Sequence, residues 1–387
     1  MLGLLQQRRN VRLSNKYSKK DVARAGKRLV EEKEHSESLD ILSYWRASHA
    51  IALNKAFESI EEITKNIDKS AVLAKRLKRT ASIVNKLDRF GNNGSGMLLN
   101  RMQDIGGCRV ILSNIKKLHK LVSIIKKETN FKIRDDYIYS PKYDGYRSIH
   151  FIGKFINEYG EDRTIELQVR TKIQHSWSTA VEIVDLFTNQ SIKTNYGEAD
   201  WKEFFLHTGT QFAILEKNTM IQTANNINIY NAYKYDYKRE TNINLDKSIY
   251  FLHKHCQKLG ILKKFELFNE SIKIASVSIN NISEAGYILL VIDNIEKDIF
   301  NINTTFYNYA EFNVATERYL EEEKKSISQS HYITALISTT SIGDIKEAYP
   351  NYFADSSQFV KYIDIISYFY SKYFSVIQTI THWAKYR

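Results

Sequence analysis

The apolar spacing of this chain predicts an α/β (α+β) fold: a mixed β-sheet flanked by helices, followed by a smaller C-terminal α/β domain. Three observations carry that expectation. Apolar residues recur at helical spacing up to about residue 90, the period then shortens to that of strands set between glycine turns, and strand-like alternation returns after residue 270. The 387 residues are enough to bury a sizeable core in one elaborated domain or two.

Taken in order, residues 19–34 and 37–66 read as helices, the second with Leu39, Leu42, Trp45 and His49 on one stripe. Residues 71–90 read as a third, which mixes an apolar stripe with Lys75, Arg76, Lys78, Arg79, Lys86 and Arg89 and stops at the loop GNNGSG. Cys108–Leu112 is a short apolar strand and Ile115–Glu128 an amphipathic helix. Phe131–Tyr139, Ser148–Phe155 and Thr164–Val169 read as strands, and Thr171–Leu186 as a helix. From Asp200 to Gly260 the pattern is helical, with Trp201, Phe204, Phe205, Phe212 and Leu215 as its apolar stripe. Strands are then expected near Lys273–Val277, Tyr287–Ile292, Ile299–Thr304 and Tyr332–Ser338, and helices near Phe306–Lys325, Ile342–Tyr349 and Ser357–Phe374. The expected organisation is a helical region over 1–69, a core over 70–190, a helical extension over 191–245 and a C-terminal α/β domain over 246–387. No internal repeat is apparent.

Composition narrows the function classes. The net charge of +12 is uneven: residues 1–190 hold 35 lysines and arginines against 22 acidic residues, and residues 191–387 hold 21 against 22. An excess of +13 in the first half suits a polyanion, nucleotide phosphate or RNA, and equally an ordinary solubilising surface. Cys108 and Cys256 stand alone, which argues against a disulfide framework or structural zinc and for a reducing, cytoplasmic setting. No run approaches the roughly 20 apolar residues of a membrane span, and the N-terminal apolar stretch is too short for a signal sequence.

Three blocks between Arg101 and His175 hold the parts of a metal-dependent phosphoryl-transfer site: RMQDIGGCRVIL, YSPKYDGYRSIHF and IELQVRTKIQHSW. Such a site must neutralise a polyphosphate, hold Mg²⁺ and activate an acceptor hydroxyl. Asp104, before a strand, and Glu166, on another, are the candidate catalytic residues and Mg²⁺ ligands, the second also as proton acceptor. Taken singly, each is equally an Asp in a turn or a surface Glu. In the middle block Gly145 permits a tight turn, Tyr146 offers a ring for a base worth about 1–3 kcal/mol of stacking, and Lys142 can meet phosphate. A simple Asp144-Gly145 hairpin is the competing reading. Gln168 and Arg170 alternate with Glu166 on one strand face. His175, just past that strand, either meets phosphate with Arg170 or packs on Trp177. In the basic segment RLKRTASIVNKL, Lys78 and Lys86 can grip polyphosphate, while Arg76 or Arg109 can stack on a purine.

Together RLKRTASIVNKL, RMQDIGGCR, PKYDGYRSIH and IELQVRTKIQH resemble, in order and spacing, the synthetase motifs of the RelA/SpoT alarmone enzymes, over about residues 70–185. The resemblance implies a nucleotidyltransferase-like synthetase core that moves the β,γ-pyrophosphate of ATP onto the 3′-hydroxyl of GDP or GTP, releasing AMP. It implies that Asp104 and Glu166 serve Mg²⁺, with Glu166 activating the 3′-hydroxyl. Arg76 and Arg109 would sandwich adenine, Lys78 and Lys86 would hold ATP phosphates, and Tyr146 would stack on guanine with Lys142, His150 and Gln168 lining the acceptor pocket. One departure stands out: the family's usual Asn-Gly-Tyr is Asp144-Gly145-Tyr146 here, which places an added negative charge beside the acceptor. No His-Asp pair marks the metal-dependent hydrolase domain of the long family members, so the chain is more similar to the stand-alone small synthetases.

Two alternatives accompany this expectation. One is a toxic relative of the small synthetases that modifies the tRNA 3′ end or makes adenosine alarmones under restraint by its C-terminal domain, with Tyr370 and Tyr373 as candidates for an aromatic plug or, more simply, a buried helix face. The other is a silent nucleotide-binding regulator. The expected partners are ATP and GDP/GTP, with tRNA as alternative acceptor and no membrane; a homo-oligomer is compatible with the sequence.

Overall fold

The first helix begins where two side chains cap each other. Asp21 N donates to Ser18 Oγ at 3.2 Å and Ser18 N to Asp21 Oδ2 at 3.0 Å, and α1 runs over Lys19–Glu31. The computed structural model describes residues 16–32, 35–91, 96–188, 198–218, 225–240, 242–262, 265, 286–296, 299–328, 332–338 and 357–384. After α1 come α2 (Ser36–Ala47) and α3 (Ala50–Ile67), where the sequence predicts one helix. The break has a local cause. Ser48 Oγ donates to Trp45 O at 2.8 Å, and His49 Nδ1 lies 2.8 Å from the same carbonyl, so side chains compete for a helical acceptor. Arg163 reinforces the corner by donating from Nε to Ser48 Oγ at 2.9 Å, its guanidinium 4.3 Å from the Trp45 ring.

The expected third helix is also two elements: strand β1 (Val72–Leu77), then α4 (Thr80–Gly91). Helical spacing in VLAKRL is outweighed by edge pairing in a sheet, since propensity is a weak prior beside tertiary hydrogen bonding. Arg76 and Lys78 therefore lie on and just past a strand, and only Lys86 lies on a helix. The strands β2 (Gly106–Leu112), β3 (Lys132–Asp136), β4 (Ile149–Ile156) and β5 (Asp162–Thr171) complete a five-stranded sheet in the order β1-β2-β5-β4-β3. Helix α5 (Ile115–Glu128) lies between β2 and β3 in sequence and has the predicted bounds. β3 is shorter than predicted because Asp136 ends it: its Oδ1 accepts from the amides of Ile138 and Tyr139, each at 3.0 Å.

Helix α6 (Lys172–Thr188) follows β5 directly. The helical stretch predicted over 200–260 is three helices, α7 (Ala199–Leu215), α8 (Asn226–Glu240) and α9 (Ile243–Leu259), the last closed by Gly260 at φ 61°. A second sheet, β7-β6-β8, is antiparallel throughout: β6 (Gly286–Glu296) pairs with β7 (Ile299–Asn308) and with β8 (Tyr332–Ser338). The helix expected from Phe306 starts at Phe312, because β7 runs on to Asn308; it spans Phe312–Ser328 and packs on β8 and β6. The strand expected at Lys273–Val277 and the helix expected at Ile342–Tyr349 lie outside the described residues.

The chain divides into two compact, interleaved units. One comprises residues 1–59, 75–108 and 152–166, the other 60–74, 109–151 and 167–387, so residue 245 lies inside the second. The core of the first unit is Val22, Leu29, Leu42, Trp45, Ile83, Val84, Leu99 and their neighbours. The largest core of the second is aromatic and joins α6–α9 to the C-terminal helix Ser357–Ala384 through residues such as Trp201, Phe205, Tyr233, Phe359 and Phe369. Tyr373 lies 5.1 Å from the Phe369 ring and Tyr370 stacks on His253 at 4.5 Å, so both tyrosines pack among these helices. No helix among the described residues is long and apolar enough to cross a membrane.

His49 yields a prediction about stability. Burial, and to a lesser degree Arg163, push its pKa from 6.5 to about 4 against the hydrogen bond to Trp45. The unfolded chain therefore takes up a proton near pH 6.5 that the folded chain refuses until about pH 4, and stability falls as pH drops through that window. The loss is about 3 kcal/mol. Denaturant midpoints measured from pH 7 to pH 4 are expected to flatten in His49→Gln relative to the unaltered protein.

Candidate active site

Asp104 leads into β2, and the end of β1 is tied beside it: Lys78 N donates to Ile105 O at 2.7 Å, and Arg46 Nε donates to Lys78 O at 2.9 Å. The Lys78 ammonium then reaches Asp104 Oδ2 at 3.1 Å, and Lys86, from α4, reaches the same oxygen at 2.8 Å. Two cations share one carboxylate oxygen. The other, Oδ1, is buried with no hydrogen-bond partner among the described residues. Burial pushes the Asp104 carboxyl up and Glu166 adds to that, but Lys78 and Lys86 outweigh both and hold it below the usual carboxylate range. Glu166, buried on β5, is thus close enough for its charge to be felt at Asp104. Arg76 belongs to the same unit and its side chain is exposed on β1.

An orphaned anionic oxygen with a second carboxylate nearby fits a hard divalent cation. Mg²⁺ takes one or two protein carboxylates and fills its remaining positions with water and phosphate oxygens. No group of three or more His, Cys, Asp or Glu that could hold a metal ion gathers among the described residues.

The second unit gathers Lys142, Tyr146, His150, Gln168 and Arg170. Gly145 N donates to Lys142 O at 2.9 Å and Tyr146 N to Asp144 Oδ1 at 2.9 Å, with Gly145 at φ 91°. Tyr146 accordingly sits in a side-chain-braced turn ahead of β4 rather than in a two-residue hairpin. Its hydroxyl lies 2.7 Å from His150 Nε2, and Arg134 Nη2 lies 3.0 Å from Nδ1. Since a guanidinium only donates, Nδ1 accepts from Arg134 and Nε2–H donates to the tyrosine oxygen. The Lys142 ammonium stands 4.6 Å from the Tyr137 ring and 5.1 Å from Tyr146, whose ring is also 5.9 Å from the Arg170 guanidinium. Arg170 donates to Gln168 Oε1 at 2.5 Å. The result is an aromatic ring ringed by cations, suited to a stacked base carrying phosphates.

His175 is buried, and neither ring nitrogen has a partner among the described residues. Burial first, then Arg109 and Arg170, hold its pKa well below the ordinary value, so it is a neutral imidazole near two guanidiniums. Sequence reasoning passed over Arg46, Arg134 and Tyr137. Each supports a motif residue from outside the motif blocks, and pattern alone gives no signal for that.

The family described as "Region found in RelA / SpoT proteins" matches residues 75–184. A GTP pyrophosphokinase of Bacillus subtilis, YwaC, is 34% identical over 110 residues, which are 27% of this chain and 52% of that protein. The match thus spans about half of the curated relative's length. Among solved structures, small alarmone synthetase 1 of B. subtilis bound to its product pppGpp is 21% identical, with a TM-score of 0.37 over 45% of this chain and 94% of its own. Small alarmone synthetase 2 of B. subtilis is 23% identical, with a TM-score of 0.35 over 43% and 91%. Every candidate site residue from Arg76 to His175 falls inside the matched stretch, residues 75–184.

Proposed function

We propose that this chain is an ATP-dependent pyrophosphotransferase that makes (p)ppGpp from GDP or GTP. The observation that carries the reading is Asp104: an anionic carboxylate with one oxygen held by Lys78 and Lys86 and the other buried and unpartnered, with Glu166 beside it. In this reading Lys78 and Lys86 bind the ATP polyphosphate, and Arg76 and Arg109 hold the adenine. Tyr146 stacks on the guanine, with Lys142, His150 and Gln168 around it and Arg170 and His175 toward phosphate. Glu166 takes the proton from the acceptor 3′-hydroxyl as that oxygen attacks the β-phosphorus. The bond between the α,β-bridging oxygen and the β-phosphorus breaks, and AMP leaves. Mg²⁺ on Asp104 and Glu166 supplies charge neutralisation of the phosphates when bound. The setting consistent with this chemistry is the cytoplasm.

A second reading is favoured by two exposed rings beside the acceptor turn. Tyr139 is 91% and Tyr143 69% exposed, flanking Lys142, an arrangement suited to stacking the unpaired 3′ end of a tRNA. The test is incubation of the protein with Mg²⁺ and γ-³²P-ATP beside GDP, GTP, ATP or deacylated tRNA. Label on GDP or GTP supports the first reading, and label on tRNA alone replaces it with the second. In the same assay Tyr146→Ala is expected to lower kcat/KM for the acceptor by about 10- to 100-fold, the loss of about 1–3 kcal/mol of stacking, with KM for ATP nearly unchanged.

A further inference from the structure

Glu216 lies beyond residues 75–184, at the C-terminal end of α7, and is 4% exposed. Its carboxylate accepts three hydrogen bonds. Arg147 Nη1 and Gln174 Nε2 donate to Oε2, the latter at 3.0 Å, and the Thr171 hydroxyl donates to Oε1. Those donors are not scattered: Arg147 follows Tyr146, Thr171 follows Arg170, and Gln174 precedes His175. Gln174 closes the set, its Oε1 accepting from Thr171 N at 3.1 Å. A buried charge pair is poor evidence of stabilisation, because desolvation offsets much of its attraction. Its value is in fixing where three segments stand.

α7 meets the same turn a second time, backbone to backbone. A Cβ on Gly209 would come within 2.4 Å of Gly145 O, and a Cβ on Gly145 within 2.7 Å of Phe205 O. The carbonyl of Phe205 also accepts from Trp177 Nε1 at 2.9 Å, and the Trp177 ring centroid is 6.1 Å from that of Tyr146. α7 is backed in turn by the C-terminal helix, whose Phe359 packs on Phe204, Phe205 and Phe212.

We infer that α7 is a clamp for the acceptor turn and that Glu216 is a positioning residue: through Arg147 it sets Tyr146, and through Thr171 and Gln174 it sets Arg170 and His175. The inference rests on the assignment of Tyr146 to the acceptor pocket. A base stacks productively only if the ring is held in place before it arrives, so loosening the clamp acts on acceptor capture rather than on ATP.

The test uses the full chain with Glu216→Gln, which keeps the shape and removes the charge, and separately Gly209→Ala, which favours the helix while pressing a methyl group against Gly145 O. Two readouts are taken: amide hydrogen exchange over residues 142–148, and KM for GDP and for ATP. Both variants are expected to raise exchange at Gly145 and Tyr146 about tenfold and KM for GDP about tenfold, with KM for ATP changed less than about twofold. Unchanged exchange in that turn, or equal rises in both KM values, overturns the inference. If Glu216→Gln does not fold, Gly209→Ala decides alone. If the unaltered protein transfers nothing to GDP, the proposed function falls while the exchange measurement still decides the clamp.

Discussion

Glu166→Gln is expected to reduce transfer by about 10³-fold or more while ATP affinity stays within about threefold, since general base catalysis contributes about 10²–10⁴ and the amide also loses the charge. The side chain is buried on β5 and its shape is preserved, so folding survives and the loss falls on chemistry. Single-turnover transfer at saturating ATP, beside a direct measurement of ATP binding, separates the two effects. Unchanged turnover would remove Glu166 from the role of proton acceptor and leave it a charge near Asp104.

Asp104→Asn is expected to have an effect of similar size with a different signature. Its carboxylate is held ionised by Lys78 and Lys86, and its Oδ1 is the buried oxygen offered to a cation. In the proposed reaction the replacement takes away a metal ligand and a negative charge together, so kcat is expected to fall about 10²–10⁴-fold and the Mg²⁺ concentration for half-maximal rate to rise. ATP binding without Mg²⁺ moves the other way. With no carboxylate competing for the two ammonium groups, metal-free ATP binds as well or better. Titrations of ATP with and without Mg²⁺ check both signs, and weaker metal-free binding would show that Asp104 positions the lysines rather than serving the metal.

The sheet was legible where local pattern and tertiary role agree. Cys108–Leu112 and Thr164–Val169 are short apolar runs between turns, and both lie within strands, while α5 has the bounds its amphipathic pattern predicts. β1 was not legible, because Lys75 and Arg76 in VLAKRL continue the helical spacing of α4 and only pairing at the sheet edge makes it a strand. The break between α2 and α3 escaped for a related reason: Ser48 and His49 look ordinary in a helix until Arg163, over a hundred residues on, fixes the Ser48 hydroxyl. In the site, the order of the motif blocks pointed to Asp104, Lys78 and Lys86, which the fold joins in one ion pair cluster. What surrounds Tyr146 was hidden. Arg134, Glu216 and Gly209 are common residues at unremarkable positions, and their roles come from donors, acceptors and backbone approaches made across the fold.

The most direct test of pyrophosphate transfer is a product balance. ATP labelled at the α- and at the γ-phosphate in parallel reactions with GDP and Mg²⁺ is expected to give labelled AMP and a labelled guanosine product in equal amounts, with the γ-label as the outer phosphate of a 3′-diphosphate whose inner, β-derived phosphate is bonded to the guanosine 3′-oxygen. Label appearing as ADP with orthophosphate, or AMP formed without a labelled guanosine product, would contradict it.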